Sequence, residues 1–110
     1  MVTAVAEEII DEKIIENCEV NGACSEGLEW LREKPRTFSE LKIHSKSWFN
    51  WLAENSSLPE VLSKLAEDAN SDVRYYVAGN TNSPVEVLSK LAEDANSAVR
   101  YAAKRRMAGL

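Results

Sequence analysis

Cys24 and His44 are the one pairing in this 110-residue chain whose types could do covalent chemistry, a thiolate attacking while the imidazole takes its proton. That chemistry also needs an oxyanion-binding turn and an acid to orient the imidazole. No Gly-rich elbow, oxyanion motif or orienting acid is recognisable around either residue, so the sequence points away from an enzyme. A zinc or iron–sulfur site would ask for two ligands more than Cys18 and Cys24 supply, and His44 is the only histidine. No metal and no cofactor are expected, and the two cysteines read as buried thiols rather than a disulfide.

What remains is the chemistry of recognition. Arg74, Tyr75, Arg100 and Tyr101 stand in two Val-Arg-Tyr triplets, each just after one of two identical stretches, EVLSKLAEDANS, at residues 60–71 and 86–97. Tyrosine and arginine on one face of adjacent units make a shallow protein-binding surface, because amphipathic rings supply area at low entropic cost. The constant six-residue separation of Asp68 from Arg74 and of Asp94 from Arg100 also allows the arginines to bond aspartates along a ladder. Glu7, Glu8, Asp11, Glu12 and Glu16 form a second candidate, an acidic face that could imitate phosphates.

These residues are positioned by helices. Val61, Leu62, Leu65, Ala66 and Ala69 share one stripe of 3.6-residue period, and Val87, Leu88, Leu91, Ala92 and Ala95 repeat it. Ser57 with Glu60, and Ser83 with Glu86, fit capping boxes that would start these helices. Asn70-Ser71 and Asn96-Ser97 supply turns before second helices beginning near Val73 and Val99, with Tyr76 and Val77 inward in the first and Ala102 and Ala103 in the last. A degenerate copy upstream aligns Trp48 to Asn55 with Val73 to Asn80; it places Trp48, Trp51 and Leu52 in the core. Its first helix would start at a Thr37–Glu40 capping box and turn Phe38, Leu41 and Ile43 inward.

Ahead of this, Val5, Ile9, Ile10, Ile14 and Cys18 predict an amphipathic helix over 3–19, ended by Asn21-Gly22. A second helix over 24–34 buries Leu28 and Leu31, with Trp30 at its edge, and Pro35 stops it. Residues 1–34 hold nine acids and three bases, whereas 98–110 carry Arg100, Lys104, Arg105 and Arg106 and no acid. The formal charge of -5 disfavours general nucleic-acid binding, leaving only local contact through the basic C-terminus. No apolar run approaches the ~20 residues of a membrane span. The start of the chain has neither the basic nor the apolar part of a secretory leader, so a cytoplasmic protein is expected.

The run Val73 to Asn80, with Ser83-Pro84, Glu86-Val87-Leu88 and Leu91-Ala92-Glu93-Asp94, resembles the leucine-rich repeat variant family, with HEAT repeats as a near relation, over about residues 45–104. The family's unit of about 24 residues is shorter than the 26 found here. The resemblance implies a right-handed α-solenoid used for binding rather than catalysis. The N-terminal half is loosely similar to small bacterial and prophage proteins. The expected fold is all-α: about two and a half helix-turn-helix repeats (36–56, 57–82 and 83–110) with a helical cap at 1–35, in one domain. The expected function is a non-enzymatic interaction module of bacterial or phage origin. The alternative is a phage-encoded inhibitor of the anti-CRISPR or nuclease-inhibitor kind, using the acidic face. Self-association through the repeat end is a further expectation, because Val99, Ala102 and Ala103 close the array without a polar cap.

Overall fold

The computed structural model describes residues 9–109, and every regular element among them is an α-helix. In chain order these are α1 (Glu12–Val20), α2 (Ser25–Glu33), α3 (Phe38–His44), α4 (Lys46–Asn55), α5 (Pro59–Leu65), α6 (Ser71–Gly79), α7 (Val85–Leu91) and α8 (Ser97–Ala108). None of the helices among the described residues is long and apolar enough to cross a membrane. The chain divides into two compact units, Met1–Phe49 and Asn50–Leu110.

In the first unit α1 starts at Glu12, later than its apolar period suggests. Ile9 pairs with Thr37 in an isolated antiparallel bridge, and the Ile10 amide donates to the Arg36 carbonyl at 2.8 Å. A distant backbone partner thus overrides local period, and Asp11 becomes the N-cap, its side chain accepting from the Ile14 amide. The expected residues Val5, Glu7 and Glu8 lie outside the described residues. The helix closes where expected. Gly22 takes φ +95°, its amide reaches Glu19, and the Ala23 amide reaches the Cys18 carbonyl at 3.0 Å, the paired bonds of a Schellman ending.

Cys24 caps α2, with Sγ accepting from the Gly27 amide at 3.4 Å. It is exposed, whereas Cys18 is buried, so only one of the two expected buried thiols is inside. At Thr37 the capping box forms in both directions, at 2.8 and 3.0 Å. The α1–α3 core holds Ile10, Ile14, Ile15, Leu28, Leu31, Phe38 and Leu41, and Phe49 is buried with them at the unit's end. Ile43 does not face inward: it is 86% exposed, because a seven-residue helix has room for one buried stripe and Phe38 and Leu41 occupy it.

In the second unit α5 and α7 are each seven residues long and α6 and α8 longer; α5 packs on α6, α7 on α6 and α8, and α6 on α8. Leu62 and Leu88 are completely buried at the same place in the duplicated stretch, each contributing about 1.5–3 kcal/mol over an exposed side chain. The capping box expected at Ser83 does not form. The N-caps are Leu58 and Pro84, without a side-chain cap, because the Ser83 hydroxyl is buried and donates to the Val77 carbonyl at 2.6 Å, while Ser56 receives the Leu58 amide. The second helices begin two residues before Val73 and Val99, where Asn70 and Asn96 accept the amides of Asp72 and of Ala98 and Val99. In α4 Trp48 and Trp51 are only half-buried, whereas Leu52 goes inside as expected, together with Phe49 and Ala53.

Candidate interaction face

Each copy of the duplicated stretch ends in the same local construction. The carboxylate of Asp68 accepts the Asn70 amide at 2.9 Å, and that of Asp94 accepts the Asn96 amide at 2.8 Å. Arg74 then folds back so that Nη1 donates to the carbonyls of Asp68 and Ala69, and Arg100 does the same to Asp94 and Ala95. These carbonyls lie just beyond the first helix of each copy, where free acceptors collect, and a guanidinium is a fitting cap.

Arg74 has a second task. Its Nε and Nη2 grip the Asp94 carboxylate at 2.7 and 3.0 Å, a two-pronged bond between the copies with both side chains largely buried. The Arg74 hydrogen bond holds Asp94 below the ordinary aspartate pKa, against the opposing effect of burial, with the Asn96 amide helping. Arg74 is therefore committed to structure. Of the four expected contact residues, the tyrosines are the outward ones: Tyr75 is 46% and Tyr101 63% exposed, on the mutually packed α6 and α8. Tyr75 stands edge-on to Tyr76 at 5.9 Å, and Arg105 lies over the Tyr101 ring, its Nη1 donating to the hydroxyl at 3.4 Å. The rings are thus oriented while exposed.

The acidic face of the first unit is less free than its composition implies. Asp11 is spent as a cap, and Glu12 and Glu19 share Arg32 at 3.0 and 3.2 Å, the pairing that raises the arginine's pKa. Glu16 is exposed. Glu26, Glu29 and Glu33, which period alone assigns to no site, line an open groove of about 640 Å³ with Glu19, Trp30 and Arg32.

Cys24 and His44 are both held in other roles. The thiol caps α2, and the imidazole stacks on Trp30 at 4.1 Å with the planes 11° apart, Trp48 standing 5.3 Å away. Arg36 lies 4.0 Å over the Trp30 ring and donates from Nε to its carbonyl, so one residue caps α2 and packs its aromatic. Among the described residues no group of three or more His, Cys, Asp or Glu could hold a metal ion.

Asn80 is the residue that sequence reasoning passed over. Buried at the end of α6, it donates to the carbonyls of Ala53 and Ser56 at 3.0 and 2.9 Å and accepts the Asn82 amide. Its only advance signal is the recurrence of asparagine at 55 and 80 in the aligned copies. Comparison of the chain with protein-family models, curated proteins and solved structures finds no match.

Proposed function

We propose that the chain is a non-enzymatic protein-binding module, a short α-solenoid that takes its partner on the outer face of α6 and α8. One observation carries this reading: Tyr75 and Tyr101, at equivalent places in the two copies, stay exposed on two helices that pack directly on one another. Two oriented tyrosines on neighbouring helices offer apolar area with hydroxyls ready for hydrogen bonds, the composition that dominates interface cores. Arg74 serves this face indirectly, by tying one copy to the next, and Arg100 borders it. The alternation of seven-residue helices α3, α5 and α7 with the longer α4, α6 and α8 supports the solenoid part. The acidic-inhibitor alternative is weakened by Arg32, which neutralises part of the charge that alternative would use.

Photo-crosslinking in the native cell tests the reading. A photoreactive phenylalanine replaces Tyr75 or Tyr101 in turn, with exposed Ser63 and Ser89 as control positions. The expected result is one common protein crosslinked from 75 and from 101 and from neither control. Equal crosslinking from all four, or a partner retained in full by the Tyr75→Ala, Tyr101→Ala double variant, would sink the proposal.

A further inference from the structure

Each arginine ahead of α8 ends on a carboxylate: Arg32 on Glu12 and Glu19, Arg36 on Glu33, and Arg74 on Asp94. Among the described residues the arginines of α8 do not. Arg100 donates to the carbonyls of Asp94 and Ala95, Arg106 to that of Thr81, and Arg105 to the Tyr101 hydroxyl. Lys104 is exposed and joins no ion pair among the described residues, and α8 itself contains no acid. In a chain with 18 acids and 13 bases, guanidinium groups without carboxylates thus gather on one helix.

Two of the α8 cations belong to the tyrosine face. Lys104 and Arg105 follow Tyr101 by three and four residues, on the same side of the helix, and all three are exposed. The Arg105 guanidinium lies 5.9 Å over the Tyr101 ring, so its direction is set before any partner arrives. A guanidinium held in this way loses little freedom on meeting a carboxylate. On α6 the sign reverses. Asp72, exposed and three residues before Tyr75, is the one acid of that helix, and Ala98 takes its place in α8. The face is positive over α8 and negative at the start of α6, with a tyrosine beside each charge.

We infer that this face takes an acidic segment of its partner protein, with carboxylates on Lys104 and Arg105 and an uncharged stretch on Tyr75. The inference rests on the reading of the tyrosine face as the binding surface, and adds the partner's chemistry and direction. Charge complementarity selects the occupant. A nucleic-acid strand carries its charge evenly along its length and would meet Asp72 on crossing to α6, so a face of two signs fits a protein segment instead.

The test uses the full chain in its native cell, photo-crosslinked from positions 75 and 101, with the captured partner peptides sequenced by mass spectrometry. An excess of aspartate and glutamate is expected around the residue caught from 101, less around that caught from 75, and the adducts should survive nuclease. The peptide caught from 101, synthesised with a fluorophore, should lose roughly tenfold or more in affinity by anisotropy when Lys104→Glu and Arg105→Glu are combined. Replacing its acids by lysine should restore binding to the reversed chain, an outcome that misfolding cannot produce. No common protein at 75 and 101 removes the binding face, and this inference with it. A common protein whose captured peptides are neutral or basic, carry their acids only at 75, or bind the reversed chain equally well overturns this inference alone. So does a lysine-bearing peptide that the reversed chain ignores, and so does an adduct that nuclease destroys, which would assign the face to nucleic acid.

Discussion

The two compact units finish their helices by different means. Residues 50–109 use one solution twice: an aspartate holding an asparagine amide, the asparagine capping the next helix, and an arginine returning to the carbonyls left behind. Residues 9–49 use a separate device at each end, Asp11, Cys24 and Thr37 at the starts, Gly22 and Arg36 at the stops. A reused device leaves the positions where the copies differ as the informative ones. A set of unrelated devices makes each residue's role a separate fact, learned only from its own neighbours.

The largest expected effect lies in the first unit and is kinetic. Burial pushes the Cys18 thiol from 9.0 up to about 11, which cuts its thiolate fraction at pH 8 about 100-fold before access is counted. Iodoacetamide labelling followed by peptide mass spectrometry should therefore modify Cys18 roughly 100-fold more slowly than a free thiol, with the exposed Cys24 the faster site. Comparable rates would mean that α1 opens freely. Next comes Leu88→Ala in the second unit, at about 3 kcal/mol by urea denaturation, since the site is completely enclosed. A loss under 1 kcal/mol would show that the α7–α8 core collapses around the gap.

Asp94→Asn should cost about 2 kcal/mol at neutral pH by removing a charged, nearly buried acceptor. Its pH dependence has a fixed sign. The folded Asp94 pKa lies below the ordinary 3.8, so the carboxylate contributes fully above that value and its contribution fades as acid protonates the folded state. Wild type and variant should thus converge in acid. A difference that grows on acidification would contradict the Arg74 pairing. The smallest effects compare two glycines. Gly22→Ala should cost about 1 kcal/mol because φ is +95° although the space is open. Gly79→Ala, also in open space but with ordinary helical backbone, should gain about 0.5 kcal/mol. The same sign at both sites would break the contrast.

Local signals were legible and distant ones were not. The Thr37 box, the Asn70 and Asn96 caps and the Gly22 ending each join residues within five positions, and the all-helical class follows from the apolar period. A hydroxyl three residues before a glutamate is only a candidate cap, and Ser83 meets the Val77 carbonyl instead. The start of α1 is set by a partner 26 residues away, the Arg36 carbonyl, which local period does not register. In α4 the aromatic-rich sequence offers more than one apolar stripe: Leu52 goes inside as expected, but Phe49 and Ala53 join it where Trp48 and Trp51 are expected. At the candidate face, the outward tyrosines were readable from the stripe they leave. An arginine–aspartate ladder is readable from the constant six-residue separation; that it joins Arg74 to Asp94 and gives Arg100 no such carboxylate partner among the described residues depends on the packing of one copy on the next.

Asn80 has a last implication when set against Arg106, which follows it by the 26-residue period. The short amide must bring its own backbone to the Ala53 and Ser56 carbonyls, and α6 stops at Gly79. Arg106 reaches the Thr81 carbonyl at 3.3 Å from within a helix that runs on to Ala108. At this one place a short amide beyond a nine-residue helix and a long guanidinium within a twelve-residue one both end on backbone carbonyls earlier in the chain, so the position keeps a task while its residue type changes.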